Sequence, residues 1–450
     1  MKQAVNSVLK EILEDVSPTS EDVDLIESSL KKFLGEFEKS LKKLKIDAEI
    51  FIGGSYAKKT MIRKENYDID IFVRFGAMEN ISKLLEKALK KFGAKLIHGS
   101  RDYFQVTITK DIFFEVIPVV KVAKPKDAEN ITDLSYSHVK YMNKKVKDER
   151  ILNEIKLAKV FCYANNCYGA ESYIQGFSGY SLELLVYHYG GFLKFIREMA
   201  KAGGHPRVYT QGGHENLSRG PETVSGETST RGKIVIDIEK QYQNKPQILM
   251  DVNTSKLQSP IILIDPTYKQ RNVAAALSEE TFEKFQKVCK AFLKSPSTKF
   301  FELDKIDFEK IGKDAKKSGL EFVELVIKTN RQAGDIAGSK LVKFHKHLEG
   351  EIERYFEIKK KGFEYGGGKL ARCFFVVKSK GEILRNGPMI TDIANVKKFK
   401  KEHAKAFVKK HRVYAHEKIG FNVKEFLKKW ELKNSKRMKE MSVVGLGIRK

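Results

Sequence analysis

The apolar positions of the chain follow two spacings, and the switches between them mark out its parts. Thr19, with Asp22 three residues on, can cap a helix, and Ile26, Leu30, Phe33, Leu34, Phe37, Leu41 and Leu44 then recur at helical intervals. That face is expected to cover a sheet opened by the apolar run Ile50, Phe51, Ile52, which stops at Gly53-Gly54-Ser55 as a strand stops at a turn. A second strand-like run, Tyr-Asp-Ile-Asp-Ile-Phe-Val-Arg-Phe, ends at Phe75. Helical spacing returns from Ile81 to Phe92, and short strand-like runs follow at 94–97, 103–109 and 112–117, with Pro118 expected to end the last. The pattern predicts a small mixed sheet backed by helices.

Beyond Ile151 the spacing is mainly helical, at 151–163 and 182–199, with the glycine-rich turns Cys-Tyr-Gly-Ala-Glu and Gly-Phe-Ser-Gly-Tyr between. Residues 202–232, rich in Gly, Ser, Thr and Glu and without periodicity, predict a mobile loop in which His205 and His214 are solvated. Strand-like runs at 234–238 and 261–264 lead to Asp-Pro-Thr-Tyr-Lys-Gln-Arg-Asn-Val-Ala. A helix capped by Ser278 then carries Phe282, Phe285, Val288 and Phe292 as its core face. After the Ser-Pro-Ser turn at 295–297, strands at 322–327 and 370–377 alternate with helices at roughly 339–356 and 396–409. The fold class expected is α+β multidomain: a head over 1–135, a neck and central domain over 136–304 that includes the 202–232 segment, and a basic body and tail over 305–450.

Composition changes this picture in three ways. At 450 residues the chain exceeds one ordinary core, while 41% hydrophobic and 10% aromatic content suffice for folded domains. No apolar run nears the ~20 residues of a membrane span, and the start, Met-Lys-Gln-Ala-Val-Asn, leads into an amphipathic pattern unlike a signal peptide. Cys162, Cys167, Cys289 and Cys373 form no Cys-x-x-Cys pair and read as reduced, mostly buried thiols of a cytoplasmic protein. A net charge of +26, from 84 basic and 58 acidic residues, points to a polyanionic partner, nucleic acid first. The excess is concentrated at the end, where residues 391–450 hold 18 Lys and Arg against 6 Asp and Glu.

The chemistry centres on residues 50–75. The two glycines leave room for a phosphate to approach the backbone, and a short helix opened by Ser55 would aim N–H groups and a hydroxyl at it. Asp68 and Asp70, two apart in a strand, share one face. Paired carboxylates among Ile69, Ile71, Phe72 and Val73 repel unless a cation sits between them, and hard oxygen ligands select Mg²⁺. Glu115, in Phe-Phe-Glu-Val-Ile-Pro, completes a three-carboxylate site if its strand lies beside theirs; Asp111 has the same parity and is the reserve. Taken singly, each feature has a plainer reading: a common turn, a solvated pair, a salt bridge from Glu115 to Lys110 or Lys121. In this order and spacing they suit phosphoryl or nucleotidyl transfer, where metals offset charge developing at phosphorus.

Several stretches together resemble the archaeal-type (class I) CCA-adding tRNA nucleotidyltransferases of the polymerase-β-like superfamily. They are Gly53-Gly54-Ser55-Tyr56-Ala57-Lys58-Lys59-Thr60, Asp68-Ile69-Asp70, Phe114-Glu115-Val116-Ile117-Pro118, Tyr168-Gly169-Ala170-Glu171, Gly176-Phe177-Ser178-Gly179-Tyr180, Asp265-Pro266 and Arg271-Asn272-Val273-Ala274. The resemblance spans roughly 45–300 and is looser in the last third, around Arg412-Val413-Tyr414-Ala415. It implies a polymerase-β-like head, a helical neck, and a body and tail that hold the acceptor arm and TψC side of tRNA. The implied activity is addition of C, C and A to the tRNA 3′ end from CTP and ATP, with two Mg²⁺ ions. Asp68, Asp70 and Glu115 match the metal-binding carboxylates. Gly54, Ser55 and Lys58 match the first nucleotide-binding turn. His138, Lys159 and Tyr168 match positions that hold triphosphate and sugar, and Arg271 matches an arginine that reads the base.

Lys58 stands where the family leads one to expect Arg, Glu115 where it leads one to expect Asp, and the 202–232 segment is longer than the family needs. A poly(A)-type or other nucleotidyltransferase on the same core, or an RNA-binding protein with an inactive core, are the alternatives. The oligomeric state is left open, with a homodimer among the options.

Overall fold

The computed structural model describes residues 2–76, 79–99, 101–202, 233–303 and 305–449. The expected mobile loop, with His205 and His214, lies outside them apart from Ala202. The chain divides into two units, Met1–Asp304 and Lys305–Lys450.

The first unit opens with α1 (Lys2–Val16) and α2 (Ser20–Lys43). Thr19 and Asp22 close a reciprocal capping box at the start of α2, each side chain satisfying the other's backbone N–H. Ile26, Leu30, Phe33, Phe37 and Leu41 are buried, whereas Leu44, one residue past the last helical turn, is exposed. Strand β1 (Ala48–Ile52) is followed by a single turn, α3 (Gly54–Ala57), then by β2 (Tyr67–Phe75). Helix α4 (Ile81–Leu89) leads to β3 (Lys95–Ile97), β4 (Tyr103–Thr107) and β5 (Ile112–Val120). The sheet order is β1-β2-β5-β4-β3, with β2 and β5 parallel and the other pairs antiparallel.

Alternation decides which face does what. Tyr67, Ile69, Ile71, Val73 and Phe75 of β2 join Ile112, Phe114 and Val116 of β5 in a core capped by α2 and α4. The intervening residues, Asp68, Asp70 and Glu115 among them, therefore face the other way. Strand β5 runs through Pro118 to Val120, where the sequence predicts an end. Lys121 N–H donates to Phe75 O on β2 and Val120 N–H to Asp133, so alternation turns position 118 away from β2. Pairing with β4 has already stopped at Val116, and the missing N–H of Pro118 costs no ladder bond.

The rest of this unit is mainly helical: α5 (Ser135–Lys145), α6 (Glu149–Ala164), α7 (Gly179–Tyr189), α8 (Phe192–Lys201) and, later, α9 (Lys245–Asp251) and α10 (Glu279–Lys294). The single helix expected over 182–199 is two, broken where Gly190 and Gly191 take φ values of +71° and +133°. A small sheet, β6 (Ile234–Ile236), β7 (Ile261–Asp265) and β8 (Tyr268–Asn272), completes it. Phe161, Phe192, Phe285, Phe292 and the buried thiols Cys162, Cys167 and Cys289 fill a second core.

The second unit begins with α11 (Phe308–Lys317), β9 (Glu321–Thr329) and α12 (Asp335–Glu353). Phe356, expected at the end of that helix, instead opens β10 (Phe356–Tyr365), which pairs with β11 (Leu370–Ser379). A three-stranded sheet is built from β12 (Glu382–Met389), β13 (Phe407–Lys409) and β14 (Arg412–Lys418) in the order β12-β14-β13. Between its strands lies α13 (Ile393–Glu402), which ends well before Lys409. Helices α14 (Val423–Lys433) and α15 (Ser435–Glu440) lead to β15 (Val443–Ile448), which closes the larger sheet as β10-β11-β9-β15. Among the described residues, no helix is long and apolar enough to cross a membrane.

Candidate active site

The turn after β1 is shaped by what it touches. Gly53 N–H donates to Asp70 O at 2.9 Å, tying the turn to the acidic strand. Gly54 has φ +61°, and a Cβ there would lie 1.7 Å from Asp70 Oδ2. No side chain fits between this backbone and the carboxylate, which gives the second glycine of the motif a physical reason. The helix that follows is a single turn. Its dipole is correspondingly small, and neutralising an anion falls to neighbouring cations.

Register places the acids. Asp70 on β2 stands opposite Glu115 on β5 in parallel pairing, with Asp68 two residues earlier on the same face. Asp68 is exposed and Asp70 half-buried, and β2 is an interior strand and not an edge. Burial pushes the Asp70 carboxyl up to about 6, with Lys58 opposing and Asp68 adding to the rise. Asp68 is also raised, by partial desolvation of its carboxylate within the cavity it lines, with Lys64 opposing. Lys110 lies 3.7 Å from Asp111, and Lys121 pairs with Glu49.

Facing the acids is a buried cationic wall. Lys58 Nζ donates to Glu183 Oε2 at 2.6 Å, and Lys159 Nζ to Glu183 Oε1 at 2.8 Å. Thr60 Oγ1 accepts from Lys159 at 2.7 Å and donates to Glu183 Oε1 at 2.9 Å. Burial alone would raise Glu183, but Lys159 and Lys58 outweigh it and hold the carboxyl well below its usual range. One carboxylate serves two ammonium groups, so this wall keeps an excess positive charge. Tyr168 packs beside it, its hydroxyl 3.0 Å from where a Cβ on Gly179 would stand.

These groups line one cavity of about 300 Å³ that includes Gly54, Ser55, Lys58, Asp68, Asp70, Glu115, Lys159 and Tyr168. His138 and Arg271 are not among its lining residues. They form a second cluster around Asp265: Arg271 Nη1 donates to Asp265 Oδ2 at 2.8 Å, and His138 Nε2 lies 3.1 Å from the same oxygen. Tyr180 stacks on the His138 ring at 4.3 Å and lies 5.7 Å under the Lys58 ammonium, joining the two groups. Burial leads in lowering the His138 pKa, with Asp265 opposing and Arg271 and Lys58 adding to the fall. Burial works against the Asp265 charge, yet His138, Arg271 and the Thr267 amide hold it well below the ordinary carboxylate range.

Sequence reasoning missed Glu183, although it carries the signal that singled out Glu115. It is one acid in the apolar run Leu182 to Val186 and is fully buried. Thr60, Lys64 and Asn66, which also line the cavity, have no such mark.

The donor set suits a hard divalent cation: three carboxylates on one face, with Asp70 pushed toward its neutral form by burial and by the neighbouring Asp68. Among the described residues, no three His, Cys, Asp or Glu side chains are already gathered into a metal cage. The arrangement is acidic on one side and basic on the other, as transfer of a phosphoryl-bearing group between polyanions requires.

A sequence profile for the second domain of tRNA nucleotidyltransferases matches residues 153–302. A profile for the Second Messenger Oligonucleotide or Dinucleotide Synthetase domain matches 1–149. The CCA-adding enzyme of Nanoarchaeum equitans is 32% identical over 346 residues, 76% of this chain and 75% of that one. That of Methanocaldococcus jannaschii is 24% identical over 428 residues, 92% and 87% of the two chains. A solved cytoplasmic RNA terminal U-transferase superposes with TM-score 0.48 at 14% identity, over 68% of this chain and 100% of that one, a likeness too slight to carry weight.

Proposed function

The chain belongs to the archaeal CCA-adding enzymes, and from that membership we propose how its head cavity carries out template-independent addition of C, C and A to the tRNA 3′ end. CTP and ATP are the donors. The observation that carries the reading is the pairing of Asp70 with Glu115 across β2 and β5, facing Lys58 and Lys159 over one cavity.

The triphosphate lies against the Gly54–Ser55 turn, with Lys58 and Lys159 offsetting its β- and γ-phosphate charge. The tRNA 3′-oxygen attacks the α-phosphorus, the bond to the β-phosphate oxygen breaks, and pyrophosphate leaves. Asp68, Asp70 and Glu115 would hold two Mg²⁺ ions, which supply charge neutralisation at phosphorus and make the 3′-hydroxyl more acidic. Glu115 Oε is the acceptor for the hydroxyl proton, since its strand brings it opposite Asp70. Tyr168 packs against the sugar. Arg271, fixed by Asp265 and His138, presents its remaining guanidinium donors to the base edge.

The acceptor arm and TψC side of tRNA are held by the second unit. Lys397, Lys398, Lys400, Lys401, Lys405, Lys409 and Lys410 are all exposed there. Phosphate contacts of this kind give affinity without sequence reading and weaken steeply with salt. The test is incubation of the purified protein with tRNA lacking CCA and each nucleoside triphosphate in turn. Use of CTP followed by a single A is expected; long A tails would overturn the reading in favour of a poly(A)-type enzyme.

A further inference from the structure

We propose that Glu183 is a positioning residue: a buried clamp that sets the ammonium groups of Lys58 and Lys159 at the spacing a triphosphate needs. The proposal rests on the reading of the cavity as a nucleotide site and adds a residue to it.

Glu183 projects from α7 into a place with no solvent exposure, and each of its oxygens is committed. Oε2 accepts from Lys58 at 2.6 Å; Oε1 accepts from Lys159 at 2.8 Å and from the Thr60 hydroxyl at 2.9 Å. Lys159 is held a second time by Thr60, at Oγ1 and at the backbone oxygen, 2.7 and 3.1 Å away. Lys58 and Thr60 come from the stretch after β1, whereas Lys159 and Glu183 come from α6 and α7, so the clamp ties the catalytic sheet to the helical neck. Lysine has a long, freely rotating arm, and two of them side by side repel. Left alone, they would swing apart toward water. A bidentate carboxylate between them fixes both heads and still leaves the pair with a net positive charge.

Positioning and simple charge make opposite predictions for Glu183→Gln. Losing a negative charge beside two lysines that stayed in place would tighten triphosphate binding. If the carboxylate is what keeps them in place, the same change weakens binding. The expected result is a KM for CTP and ATP raised about tenfold, with kcat within about threefold, as for lost binding shared by ground and transition states. Affinity for tRNA should stay within about twofold, because phosphate contacts elsewhere carry it. Glu183→Asp keeps the charge but is a methylene too short to span both lysines, so it should also raise KM. Thr60→Val, which keeps shape and carboxylate, should raise it about threefold, the loss of one buried hydrogen bond.

Calorimetric titration of CTP into each variant, with circular dichroism to verify folding, reads the same effect without turnover. An unchanged or lower KM and dissociation constant in Glu183→Gln, or wild-type values in Glu183→Asp, would overturn the proposal. Should Glu183→Gln not fold, the Asp and Thr60 variants decide it. Wild-type protein that adds nothing to tRNA would sink the functional reading instead, while the CTP titrations still judge the clamp.

Discussion

On one wall of the cavity three carboxylates stand on neighbouring strands; on the other, two ammonium groups share one buried carboxylate. Backbone register alone brings Asp68, Asp70 and Glu115 to one face, and the Asp70 carboxyl is left pushed up to about 6. The opposite wall is held by side chains that hydrogen-bond one another, and its acid is driven well below the usual range. The acidic wall is therefore built at an uncompensated cost to stability, whereas on the basic wall the cost of burying Lys159, whose pKa falls to about 8, is set against a strongly stabilised Glu183 carboxylate. A protein keeps groups that oppose folding where they perform chemistry, because binding a cation or a substrate repays the cost.

The largest expected difference between the walls is in Asp70→Asn. Incorporation of C into tRNA should fall by roughly three orders of magnitude, the effect of losing about 4 kcal/mol of transition-state stabilisation. Stability should move the other way. The folded-state pKa of Asp70, about 6, lies above the ordinary value of 3.8. Its ionised form is thus disfavoured by folding, fully above pH 6 and not at all once pH drops below the unfolded value. The variant should be more stable than wild type at pH 8, by on the order of 2 kcal/mol, with the gain fading toward pH 4. Thermal melts across that range without added metal would check it; a loss of stability at pH 8 would break the contrast between the walls.

Glu183→Gln should show the reverse sign. Removing the shared partner leaves two buried ammonium groups without their carboxylate, a lesion of roughly 3 kcal/mol in comparable buried pairs. Urea unfolding of both variants at pH 7, above the Asp70 value of about 6 and below the Lys159 value of about 8, with unchanged slope, would read the opposing shifts directly. Two shifts of the same sign would mean that burial, and not the balance of charge, sets the cost on each wall.

The acidic wall was open to sequence reasoning for the same reason that it is simple. A strand's two-residue period and the parallel pairing of two apolar runs suffice to bring three acids together, and both are local patterns. The α2 capping box and its buried face were equally plain. What escaped depends on partners remote in the chain. Glu183 meets Lys58 across 125 residues, and His138 meets Asp265 across 127, so no spacing announces either. The break at Gly190-Gly191 was hidden because apolar residues continue on both sides of it. Pro118 suggests a stop because a sequence does not say that pairing with β4 ends two residues earlier on the side its missing N–H faces. Phe356 suits a helix end or a strand start equally, and packing chose the strand.

The smallest expected effect sharpens the comparison at Glu115. Its carboxylate stands opposite a shorter acid, Asp70, on the neighbouring strand. If register alone governs this wall, Glu115→Asp should be nearly silent, since the backbone position and the charge are both kept. If the reach of the side chain also counts, pulling the carboxylate back by one methylene, about 1.5 Å, displaces the proton acceptor and a metal ligand together. Misplacement by about 1 Å can cost up to a hundredfold in rate; with two aspartates still in place, we expect about tenfold in kcat and little change in KM for CTP. Single-turnover incorporation with saturating tRNA separates the two outcomes. A rate equal to wild type would show that strand pairing sets the acidic wall without help from side-chain length, and would widen its contrast with a basic wall in which Glu183 spans two lysines.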